Sequence, residues 1–113
     1  MSRDDEDEGF AEFADEFEQH TKAIYQLVAD YMDDREIPEA VIAEVLLHMA
    51  VNMRMVAYAM DAEKPSVAGL KLDLDRLRGE MDQVVRDSKK GAEAVIASAR
   101  SAIADAEKEA RDE

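Results

Sequence analysis

Apolar positions recur at helical spacing along most of this chain. Phe10, Phe13, Phe17, Ile24, Leu27, Val28 and Tyr31 stand three, four or seven residues apart, or adjacent on one stripe. Such a stripe predicts an amphipathic helix from about Gly9 to Asp33. Acidic residues before and within its first turns suit the positive end of the helix dipole. Asp33-Asp34-Arg35-Glu36 then reads as a polar loop.

Proline occurs only at 38 and 65, and each marks a boundary. Pro38 is preorganised for the first turn of a second helix, and Ile37 is placed to fold back as part of a hydrophobic staple. This helix runs to Met60 or Asp61, because the residue before Pro65 disfavours helical geometry. Ser66 is a good N-cap for a third helix. Leu70, Leu74, Leu77, Met81 and Val84 continue it with the four-three alternation of a coiled-coil seam. Residues 70–75 also alternate with period two. The helical spacing beyond them and the poor strand propensity of Lys and Asp argue against a strand.

The seam fades at Ser88-Lys89-Lys90-Gly91 and resumes in smaller residues: Ala92, Val95, Ile96, Ala99, Ile103 and Ala106. Gly91 costs about 1 kcal/mol against alanine inside a helix and marks a bend or break. A continuous third helix would be roughly 70 Å long at 1.5 Å per residue. The expected fold is therefore all-α: a three-helix chain, with an antiparallel helical hairpin and a long C-terminal helix, assembling as a dimeric helical bundle. Its expected organisation is an acidic disordered tail over 1–8, a helical bundle domain over 9–91 and an Ala-rich helical arm over 92–113.

Helix two is apolar on two sides. Ile42, Val45, Leu46, Met49, Met53, Val56 and Met60 form a broad face. Leu47, Val51, Met55 and Tyr58 lie opposite, beside Arg54, and Glu44, His48 and Asn52 form a narrow polar stripe. A helix apolar on two sides belongs at the centre of a bundle. The broad face is expected to pack on helices one and three. Leu47, Val51, Met55 and Tyr58 are then expected to meet a second subunit about a two-fold axis, the alternative being that helix three folds back and covers them within one chain. The methionines read as flexible core filling.

Composition adjusts this picture. Asp and Glu number 28 against 14 Lys and Arg, for a formal net charge of -14. That charge repels nucleic acid and anionic membranes, so neither is an expected partner. It suits solubility, a basic protein partner or a salt-rich cytoplasm. A hydrophobic share of 47% argues for a folded chain. The absence of cysteine excludes disulfides, thiolate metal sites and cysteine nucleophiles. The acidic start does not resemble a signal peptide, and Glu44, His48, Asn52 and Arg54 interrupt the most apolar run, Val41 to Met60. A cytoplasmic protein is expected.

Candidate chemistry is sparse. Glu16 and His20, and Glu44 and His48, are each four residues apart, so each pair shares a helix surface. Two such pairs side by side would offer zinc or iron a mixed imidazole-carboxylate ligand set. Carboxylate-bridged di-iron bundles use Glu-x-x-His instead, one residue shorter. No serine sits in a nucleophile-elbow pattern and no glycine-rich phosphate loop is present. The sequence therefore favours a non-enzymatic, homo-oligomeric interaction protein without a cofactor. Its expected partner surface is Val95, Ile96, Ala99 and Ile103 on the C-terminal arm. A metal-binding bundle using Glu16, His20, Glu44 and His48 is the alternative.

Overall fold

The computed structural model describes the backbone of residues 3–112 and the side-chain environments of residues 9–112. Among the described residues the regular structure is helical throughout, as expected. The helices are α1 (Arg3–Arg35), α2 (Glu39–Asp61), α3 (Val67–Lys90) and α4 (Ala92–Asp112). There are thus four helices rather than three. Helix α1 takes in residues 3–8, assigned to a tail by the sequence reading. Residues 1 and 2 of that tail lie outside the described residues.

The chain divides into two compact units, residues 1–49 and 50–113, with the boundary inside α2.

In the first unit, α1 ends later than its sequence suggests. The Asp33-Asp34-Arg35 stretch stays helical, and Glu36 takes the left-handed conformation at φ 53°. The Ile37 N–H then donates to the Met32 carbonyl at 3.1 Å. That is a Schellman closure, in which a left-handed residue reverses the chain and a bond back to the last turn satisfies an orphan carbonyl. Met32 and Ile37, the two residues whose side chains usually touch in this motif, are both half-buried.

Pro38 sits one position earlier than expected. It caps α2, its carbonyl accepting from Val41 and Ile42 N–H at 3.1 and 3.3 Å. Ile37 and Ile42 therefore occupy the two positions of a hydrophobic staple. Ile42, 9% exposed, is the one buried hydrophobic residue among those described. Thr21, Tyr25, Val28 and Met32 of α1 face Ile42 and Leu46 of α2 across an apolar groove of about 600 Å³.

In the second unit, Ser66 caps α3 as its sequence predicts. Its backbone is extended, and its Oγ accepts from the Gly69 N–H at 3.0 Å. The Ser66 N–H donates in turn to the Tyr58 hydroxyl at 3.2 Å. A Cβ on residue 69 would overlap that hydroxyl and lie 2.9 Å from Tyr58 Cζ. Glycine at 69 is thus what admits the tyrosine to the corner between α2 and α3.

Gly91 separates α3 from α4 for a single residue. Its N–H donates to the Ser88 carbonyl at 3.0 Å, three residues back instead of four, and the four-residue pattern resumes with Val95 N–H to Gly91 carbonyl at 3.1 Å. Its φ of -96° and ψ of 7° are open to any residue. The interruption thus follows from the poor helix propensity of glycine and not from a turn that only glycine makes.

Candidate interaction surfaces

The expected division of labour between the two faces of α2 is reversed in the second unit. The half-buried residues of α2 there are Val51, Arg54, Met55 and Tyr58, and those of α3 are Gly69, Leu70, Asp73, Leu74 and Leu77. Three of the four residues expected at a subunit interface, Val51, Met55 and Tyr58, are thus turned to α3 within the chain. The fourth, Leu47, lies in the first unit and is exposed.

Arg54 explains the choice of face. Its Nε and Nη2 bond the two carboxylate oxygens of Asp73 at 2.9 and 3.3 Å, and its Nη1 reaches Glu80 Oε2 at 3.2 Å. A guanidinium gripping one carboxylate with two parallel bonds fixes direction as well as distance. Asp73 is 17% exposed, so water screens this pair less than the other ion pairs of the chain. The hydrogen bonds from Arg54 hold the Asp73 carboxyl below the ordinary aspartate range, and Asp73 in turn raises the Arg54 guanidinium. Tyr58 adds a second tie one turn further along α2. Once these polar contacts aim the Val51/Met55/Tyr58 side at α3, the part of the broad face in this unit is left uncovered. Met53, Val56 and Met60 are 62–79% exposed.

Three further ion pairs on α3 are local. Arg78 pairs with Asp75, Arg86 with Asp82 and Lys90 with Asp87, all three or four residues apart and open to solvent. Such pairs contribute little to stability. Arg54 stands apart from them because it joins two helices.

Uncovered apolar stripes recur on the other helices. Phe10, Phe13, Phe17, Ile24, Leu27 and Tyr31 of α1 are 53–74% exposed. Within that stripe the Phe13 and Phe17 rings stack with centroids 6.5 Å apart, and Arg35 lies 5.7 Å from the Tyr31 ring centroid. On α4, Val95, Ile96 and Ile103 are 52–66% exposed, and Ala99 is exposed with them.

The expected metal ligands do not converge. His48 lies 3.8 Å from Glu44 in an exposed pair on one helix, whereas Glu16 and His20 sit on α1. Among the described residues no group of three or more histidine and acidic side chains comes together to hold a metal ion. The four-ligand arrangement needs two helix faces in contact, and α1 meets α2 through Thr21, Tyr25, Val28 and Met32 instead.

By length and composition α2 does reach the range of a membrane-crossing helix, contrary to the sequence expectation. Its 23 residues span about 34 Å at 1.5 Å per residue.

The chain matches no family model, no curated protein and no solved structure.

Proposed function

We propose that this protein is a non-enzymatic helical interaction module that works as a homo-oligomer and offers α4 to a protein partner. The observation that carries the reading is the amount of apolar surface left uncovered on α1, α2 and α4, set against one buried isoleucine among the described residues. Contiguous apolar faces of this kind mark association surfaces in soluble proteins. Their helical spacing suits helix-to-helix docking. The absence of a gathered ligand set argues against the metal-binding alternative among the described residues.

Sedimentation velocity of the full chain over a hundredfold concentration range tests the first half. A dimer or higher species is expected, and a monomer at every concentration would refute it. The second half is separable. Ile96→Glu with Ile103→Glu is expected to leave the oligomer intact and to abolish binding to a partner captured by the unmodified chain. Loss of the oligomer itself would assign α4 to self-association instead.

The composition of α2 supports a second reading, insertion into a bilayer. Arg54 weighs against it, because a charged side chain within the span, tied to Asp73 and Glu80 of α3, is costly in hydrocarbon. Flotation of the chain with neutral lipid vesicles would favour the bilayer over the oligomer.

A further inference from the structure

We infer that the uncovered stripe of α1 is a parallel, in-register coiled-coil seam that takes α1 of a second copy, with His20 as its single polar layer. This deepens the proposed self-association and rests on it. Phe10, Phe13, Phe17, His20, Ile24, Leu27 and Tyr31 follow an unbroken three-four alternation over three heptads. That period is the signature of two helices winding about each other. All seven are exposed in the single chain. Of the groove residues on α1, Tyr25, Ala29 and Met32 lie about 100° or more around the helix from the middle of the seam at its 3.6-residue repeat, whereas Ile24 belongs to the seam and Thr21 and Val28 flank it. A second α1 therefore docks along the edge of the groove, with Ile24, Thr21 and Val28 bordering both α2 and the second copy.

Area favours a copy of the same helix. The apolar seam residues expose roughly 700 Å² per helix when an aromatic side chain contributes ~150–250 Å². Two such faces amount to roughly 1,400 Å², inside the ~1,200–2,000 Å² of a stable specific interface.

Charge selects the direction. In a parallel in-register pair, each residue flanking the seam faces the residue five positions later on the other copy. Glu16 then meets Thr21, Ala23 meets Val28, and Asp30 meets Arg35, so the one charged pair is of opposite sign. An antiparallel pair brings Glu16 against Asp30, two like charges. Register follows from His20. In register the two imidazoles share one layer and can serve each other, whereas a slip of one heptad sets each against Phe13 or Leu27. A lone polar layer fixes register at a cost in affinity.

Sedimentation of full-length variants tests the seam. Phe17→Glu and Leu27→Glu are expected to convert the oligomer to monomer with helicity retained in far-UV circular dichroism, while Met53→Glu on α2 leaves it associated. An oligomer that survives both α1 variants overturns the seam but not self-association. A wild-type monomer overturns both. Direction has its own readout, since the chain contains no cysteine. Leu27→Cys is expected to cross-link to itself on mild oxidation and Gln26→Cys is not. If Leu27→Cys cross-links only when mixed with Phe17→Cys, the parallel assignment fails. His20→Leu is expected to tighten association and spread cross-linking over other registers, and weaker association would refute the polar layer.

Discussion

Two single residues determine how the helices are joined. Gly69 is small so that the Tyr58 ring can reach the Ser66 N–H. Gly69→Ala must displace that ring. We expect the helix-propensity gain of about 1 kcal/mol to be outweighed by an overpacking cost of ~1–3 kcal/mol. Gly79 has open space around it, so Gly79→Ala is expected to stabilise by about 0.5–1 kcal/mol. Urea denaturation of the two variants should give opposite signs, and a stabilised Gly69→Ala would remove Tyr58 from the account of this corner. Glu36 is the converse case. A side chain in the left-handed region costs about 1 kcal/mol or more, which glycine avoids. Glu36→Gly should therefore raise the thermal midpoint, and a lowered midpoint would show that the carboxylate contributes more than the strain removes.

At the level of the elements, the Arg54 fork decides which face of α2 is covered, and it makes that choice dependent on pH. Asp73 binds a proton less readily in the folded chain than in the unfolded one, because Arg54 stabilises its anion. The unfolded state thus takes up more protons as pH falls. The stability contributed by Asp73 is complete above the unfolded carboxylate range and is lost as pH drops through the depressed folded value. Asp73→Asn should be less stable than wild type at neutral pH, with the gap closing below about pH 4, the ordinary aspartate range. Denaturant midpoints that shift in parallel across the whole range would refute this.

The fold was largely legible at this scale. Pro38, Ser66 and Pro65 mark helix ends by local backbone chemistry, and each end lies within a residue or two of its expected place. The covered face of α2 was not legible, because both faces are apolar and the deciding contact joins residues 19 positions apart. The seam of α1 was present in the sequence but hidden. Seeking apolar residues alone passes over His20 and leaves a seven-residue gap between Phe17 and Ile24, which conceals the regular alternation.

For the whole molecule, the proposed self-association must overcome like charge. Each copy carries a formal net charge of -14, so two copies repel at low ionic strength. The screening length is about 10 Å at 0.1 M salt and about 3 Å at 1 M. Association is therefore expected to tighten as salt rises, in contrast to complexes held by opposite charges. Sedimentation equilibrium in 0.05 M and 1 M sodium chloride would show it, and weakening with salt would place attractive ion pairs at the centre of the interface.

That Ile42 alone is buried among the described residues carries a calorimetric consequence. The heat capacity of unfolding comes mainly from apolar surface newly exposed to water. A chain that hides little of it has little left to expose, so an isolated copy should unfold with a small heat-capacity increment and a broad, nearly flat stability curve. In the proposed oligomer the missing increment is expected to reappear in the assembly step. Calorimetric scans should then sharpen and move upward with protein concentration, as required when the oligomer binds only folded chains.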